Sequence, residues 1–154
     1  MAFFHDMNRT DIPQVMKALE EESEKAFSEQ EIPVSAVLLL KDGTLLRDHN
    51  RCEQKKNPLC HAEIEVLNQG FRTSKYLKEG VLFVTLEPCL ACLGAILKSG
   101  VSDLYYDLSD EKEGAFSHYH VFADDRLRIH RFLDPVAEKR YAAFFLSLRE
   151  KKTS

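Results

Sequence analysis

Two short stretches constrain this chain more than anything else in it: "NPLCHAEIEVL" (Asn57–Leu67) and "TLEPCLACLGAIL" (Thr85–Leu97). The first puts His61 two residues before Glu63 at the start of an apolar, helix-like run. The second puts Cys89 three residues before Cys92 at a strand-to-helix junction. Residues three apart share a helix face, and the free amides of a first helical turn stabilise thiolates, so Cys89 and Cys92 make a half-site for a divalent metal. Residues two apart inside a helix point nearly opposite ways. His61 and Glu63 therefore face one pocket only if His61 sits at the helix mouth, where the backbone is not yet regular. Pro58, just upstream, supports a boundary there.

Thiolates and imidazole together favour zinc. Three protein ligands (His61, Cys89, Cys92) leave one tetrahedral position for water, the arrangement of a catalytic zinc site, and zinc brings the pKa of such a water from about 15.7 towards 7. Glu63 then serves better as a proton shuttle than as a ligand. It takes a proton from the water, protonates a ring nitrogen and later delivers a proton to a departing amine. That is hydrolytic deamination of an amidine-like carbon. A structural zinc site would need a fourth protein ligand from Cys52 or Cys60. Cys60 adjoins His61, and neighbouring residues rarely fit one tetrahedron, so both cysteines read as ordinary thiols. His5, His49, His118, His120 and His130 show no ligand spacing to either motif.

A chain of 154 residues argues for one domain, residues 1–154, with a single core. Apolar residues make up 44% and charged residues 30%, the balance of a soluble globular protein. Apolar runs such as Ala36–Leu40 are far too short to span a bilayer, and "MAFFHDMNRTD" has no secretory pattern, so the expectation is a cytoplasmic protein with reduced cysteines. Net charge is −4, yet residues 126–152 carry eight Lys/Arg against three acids, which leaves that segment at +5 and the remainder at −9. Such asymmetry permits a basic face on an acidic protein.

Thr10 or Asp11 caps a first helix with Pro13 in its opening turn. Ile12, Met16, Leu19 and Phe27 form its apolar stripe, and "EEESEK" faces water. "VSAVLLL", "KDGT" and "LLRD" read as strand, turn and strand. A polar loop, Asn50–Pro58, leads to a helix from about His61 that Gly70 ends. "VLFVTL" is a buried strand, "CLACLGAILKS" a helix closed by Gly100, "VSDLYY" and "LRIHRF" two further strands. Asp134-Pro135 opens a last helix. Asp110–Ala123 has no clear pattern. The order predicts an α/β fold, a mixed sheet covered by helices.

The His-x-Glu then Pro-Cys-x-x-Cys order is the zinc deaminase signature. The chain resembles the bacterial tRNA-specific adenosine deaminases of the cytidine/deoxycytidylate deaminase superfamily. The resemblance rests on "EIPVSAVLL", "HNR", "NPLCHAEI", "VTLEPCLACLGAIL", the "SDEKEGA" loop and "AAFFLSLREKK". It implies a cytidine-deaminase-like three-layer α/β/α fold with a mixed five-stranded sheet, one Zn²⁺ per chain and commonly a homodimer with the site near its interface. It also implies conversion of adenosine to inosine at the wobble position of a tRNA anticodon stem-loop. By position, Asn50 would contact the flipped-out nucleoside and Ala62 would offer its amide to the base. Asp110 would lie on the RNA-facing loop. Phe144, Phe145, Arg149, Lys151 and Lys152 would touch the tRNA. The chain departs from the family pattern at Ser35, where glycine is usual, and at "GAFSHYH", where a Gly-Ser pair is usual. A deaminase of a free base or nucleotide (guanine, cytosine or deoxycytidylate) is the second reading, and a noncatalytic zinc-stabilised binding module the third.

Overall fold

Alternation along three strands sets the architecture. The computed structural model describes residues 11–121 and 125–153. Its elements run α1 (Asp11–Ser28), β1 (Ser35–Leu39), β2 (Leu45–His49), α2 (Cys52–Lys55), α3 (Ala62–Phe71), β3 (Val81–Leu86), α4 (Leu90–Ser99), β4 (Asp103–Leu108), β5 (Arg128–Arg131) and α5 (Pro135–Thr153). The strands form one sheet in the order β2-β1-β3-β4-β5. β1 is antiparallel to β2 and β3, whereas β3, β4 and β5 are parallel.

Side chains on a strand face opposite ways with a period of two. Ala36, Leu38, Leu82, Val84, Leu104 and Tyr106 pack on one face with Ala62, Val66 and Leu67 of α3 and Leu93 and Ile96 of α4. Val37, Phe83 and Tyr105 point to the other face, against Val15, Ala18 and Leu19 of α1. This is the expected three-layer α/β/α arrangement around a mixed five-stranded sheet. α5 runs against α1, where Arg140 Nη2 donates to Glu24 Oε1 at 3.1 Å and the Phe27 and Phe144 rings meet edge to face. Among the described residues, no helix is long and apolar enough to cross a membrane.

Several local expectations need correction. The buried face of α1 runs through Val15, Ala18, Leu19, Glu22, Ser23 and Ala26, so "EEESEK" does not simply face water. The reason lies on β2 and β1. Glu22 Oε2 accepts from Arg47 Nε at 3.1 Å and Lys25 Nζ at 3.0 Å, and its Oε1 sits 2.9 Å from His49 Nδ1. Ser23 bonds Ser35 Oγ at 2.7 Å, and Ser35 Oγ reaches the Leu19 carbonyl, which gives the serine of β1 a packing role. Within the expected loop Asn50–Pro58, the short helix α2 forms because the buried Glu31 carboxylate accepts from the Glu53 and Gln54 amides at 2.9 and 2.7 Å. Gly70 does not end α3. It lies inside the helix where an added Cβ would press on Leu77 and Leu38, and its role is close approach. Gly100 does close α4, with a φ of 87° that favours glycine. Thr10 and His5 lie outside the described residues.

Buried carboxyls divide into two kinds. Burial pushes Glu22 and Asp103 up, but hydrogen bonds from His49 and Lys25 to the former, and from Arg128, His130 and Ser102 to the latter, hold each at about 2. Asp107 is the opposite case: burial, with Glu138 and Asp134 nearby, pushes it up to about 7. Its Oδ2 accepts the Asp134 amide at 3.2 Å, whereas Oδ1 is buried without a hydrogen-bond partner. The folded chain thus keeps a proton that the unfolded chain releases near pH 4, and stability from this group falls as pH rises through about 4 to 7. Glu22 and Asp103 act elsewhere, their contribution being lost only as pH falls below about 4 towards 2. The Tm advantage of Asp107→Asn over wild type should therefore grow between pH 4.5 and 7. A difference that stays flat across that range would sink this assignment.

Candidate metal centre and active-site cleft

Both motifs end their preceding segment in extended backbone and then start a helix. His61 is the N-cap of α3, at φ −69° and ψ 159°, and its carbonyl accepts the Glu65 amide at 3.0 Å. Cys89 is the N-cap of α4, at φ −76° and ψ 175°, and its carbonyl accepts the Leu93 amide at 2.9 Å. An N-cap residue is not yet helical, so His61 escapes the helical rule that would turn it away from Glu63. The positive ends of α3 and α4 meet here and favour thiolates.

His61 Nδ1 lies 3.6 Å from Cys89 Sγ and 3.4 Å from Cys92 Sγ. A tetrahedral zinc ion with ordinary Zn–S and Zn–N lengths holds nitrogen and sulfur ligands about 3.6 Å apart. The donor set fits that ion in both chemistry and spacing. The three ligand atoms lie within 4.8 Å of one another, and among the described residues no other His, Cys, Asp or Glu joins the group. Cys52 and Cys60 stay outside it, as expected. The hydrogen bond from Cys92, together with His61, holds the Cys89 thiol down at about 4. The same bond, with burial and Glu63, drives the Cys92 thiol up. A bound divalent cation removes thiol protons outright.

Glu63 follows on the first turn of α3 and is 3% exposed. Burial pushes its carboxyl up, against the lowering effect of His61. It lines a cavity of about 500 Å³ together with Asn50, His61 and Cys89. A carboxyl that is buried, holds protons readily and borders the ligand cluster suits proton transfer.

The structure separates the expected substrate contacts into groups. Asn50 lines the cavity, and its Oδ1 accepts the Ala62 amide at 3.0 Å, which caps α3 and leaves the NH₂ end for a ligand. Ala62, expected to offer its amide to a base, donates that hydrogen to Asn50 in this structure and is fully buried. Asp110 lines the cavity, but its Oδ1 accepts the Lys112 and Glu113 amides at 3.1 Å each and shapes its own loop. Phe145 and Arg149 border the cavity with Tyr141, whose ring packs 5.0 Å from that of Phe145. Phe144 does not. It is 6% exposed and packs on Phe27 of α1, because successive residues of α5 point about 100° apart. The Lys152 side chain lies outside what the structure describes.

The sequence reading missed Glu87, a buried cavity-lining acid in "TLEPC". Its signal was its place one residue ahead of the Pro-Cys pair. A second acid–histidine group, Glu22, Asp48 and His49, is buried on the α1 side. There His49 Nε2 lies 2.8 Å from Glu29 Oε2, so both ring nitrogens are engaged by carboxylates and the group is an internal ion-pair network.

A family model described as MafB19-like deaminase matches residues 10–149. The tRNA-specific adenosine deaminase of Rickettsia bellii is 36% identical over 75% of this chain and 83% of its own. That of Rickettsia typhi is 42% identical over 58% of this chain, and the match spans 64% of the relative's length. A solved structure from a study of A-to-I editing by tRNA:A34 deaminases at the wobble position superposes with a TM-score of 0.70 at 30% identity. That superposition covers 79% of this chain and 99% of that one. The family model takes in both motifs and every element from α1 through most of α5. On that ground the chain belongs to the MafB19-like deaminases and stands among the tRNA-specific adenosine deaminases.

Proposed function

We propose that this chain, as a single deaminase domain, converts adenosine to inosine at the wobble position of a tRNA anticodon by zinc-dependent hydrolysis. The observation that carries the reading is the convergence of His61, Cys89 and Cys92, with His61 and Cys89 lining a cavity that Glu63 also lines. His61 Nδ1 and the two thiolates would hold the zinc. Bound there, it supplies the Lewis acidity that makes water a nucleophile near neutral pH. Glu63 takes the proton that the attacking water gives up and passes it to the ring nitrogen beside the reacting carbon. It then carries a second proton to the departing amine, so that adenosine and water yield inosine and ammonia. Asn50 orients the nucleoside, with its oxygen tied to α3. Asp110, Phe145 and Arg149 border the cleft where flanking nucleotides would lie.

A cytoplasmic homodimer belongs to the same reading. A free base is the second reading. The acids of the cleft rim (Asp110, Glu111 and Glu113) favour it, since they oppose the phosphate attraction on which RNA affinity mostly depends.

Purified under reducing conditions without chelator, the protein should carry about one zinc per chain. Metal analysis should find most of it gone in Cys92→Ser. Glu63→Gln should keep the metal and lose at least about a hundredfold in kcat. Normal turnover by that variant would overturn Glu63 as the proton carrier, whereas no turnover of any nucleoside or base by the zinc-loaded wild type would leave the binding-module reading. An anticodon stem-loop with a wobble adenosine should be deaminated far faster than free adenosine, guanine or cytosine, and its binding should weaken with added salt. Preference for a free base in that comparison would install the second reading instead.

A further inference from the structure

The mechanism leaves Glu87 without a task, although it is 2% exposed and lines the cavity. A buried carboxylate needs its lone pairs satisfied, and the partners of this one all lie on a single segment. Its Oε1 accepts the Asp110 amide at 3.2 Å and the Ser117 hydroxyl. Its Oε2 accepts the Phe116 and Ser117 amides at 2.9 Å each. Two backbone contacts reinforce the attachment: the Ala115 amide donates to the Pro88 carbonyl at 2.9 Å, and Cys89 pairs with Gly114 in an isolated bridge. Gly114 lies so close that any side chain there would collide with Glu87 Oε2 and the Asp110 carbonyl.

The segment held in this way is the same one that walls the cleft. Ser109, Asp110, Glu111, Lys112 and Glu113 line the cavity, while Glu111, Lys112 and Glu113 are exposed on their outer side. Between β4 and β5, this stretch has turns and no helix among the described residues, so little secondary structure fixes its shape. The four bonds to Glu87 fasten it to the end of β3, next to the Pro-Cys turn.

We propose that Glu87 is a positioning residue: its carboxylate sets the wall Ser109–Glu113 against the substrate and so governs substrate binding without taking part in the chemical step. For its substrate this inference rests on the function proposed above. Glu87→Gln keeps the shape of the side chain but replaces one accepting oxygen with an NH₂ group, which then faces donors. Ser117→Ala removes one of the four bonds and leaves the carboxylate in place.

Hydrogen exchange and steady-state kinetics test the proposal together. In zinc-loaded Glu87→Gln, exchange at the amides of Asp110, Phe116 and Ser117 should quicken at least about tenfold relative to α4. The KM for the anticodon stem-loop should rise about tenfold, with kcat within about twofold and zinc content unchanged. Ser117→Ala should move KM the same way by about threefold, and it decides the matter if Glu87→Gln does not fold. Unchanged exchange at those amides overturns the proposal whatever the substrate. So does a fall in kcat at constant KM, or loss of zinc from folded Glu87→Gln. If the wild-type enzyme ignores the stem-loop and turns over guanine or cytosine, the proposed function falls, and the KM arm is read on that base.

Discussion

Two helix N-termini point at one spot, and the rest of the molecule is arranged around that meeting. An N-cap residue keeps extended backbone while the next residue is already helical, so each motif presents a side chain in front of its helix and another on the first turn. His61 and Glu63 do this on α3, and Cys89 and Cys92 on α4. The first-turn amides and the dipoles of both helices put positive potential where thiolates must sit. The spacing between imidazole and sulfurs then follows from packing α3 and α4 on the same face of the sheet, through Ala62, Val66, Leu93 and Ile96.

Buried acids hold the loops around this point. Glu31 starts α2 by accepting two of its amides, Glu87 fastens the 109–117 segment, and Glu22 ties α1 to β2 through Arg47 and His49. Each is desolvated and each is compensated by several charge-assisted bonds, which are stronger than neutral ones. Asp107 is the exception, with one oxygen unpartnered beneath the start of α5. α5 supplies Tyr141, Phe145 and Arg149 to the cleft, so the helix that lines part of it begins at a residue, Asp134, whose amide is held by this incompletely satisfied carboxyl.

Strands and motifs were legible because their signals are local. β3 matches the run "VLFVTL", the Asp42-Gly43 turn joins β1 to β2, and Asp134 caps α5, its Oδ1 accepting the Val136 amide at 3.1 Å. Placing His61 at a helix mouth followed from the opposed directions of residues two apart. Where the reading failed, the deciding partner was distant in sequence. Nothing near Glu22 announces His49, nothing near Cys52 announces Glu31, and nothing in Gly70 announces the Leu77 and Leu38 methyls that would crowd a side chain there. Phe144 and Phe145 read as a pair, yet the helical turn between them sends one to α1 and the other to the cleft.

By itself the sequence determined the candidate ligand types, their order and the candidate proton-carrying carboxyl, because metal chemistry depends on residue identity and on the short spacings within each motif. Only the tertiary structure decided that the two motifs meet with no fourth ligand among the described residues, that Ala62 spends its amide on Asn50, and that Glu87 holds the wall of the cleft. Those outcomes depend on distances between segments far apart along the chain, and packing of the sheet faces sets such distances.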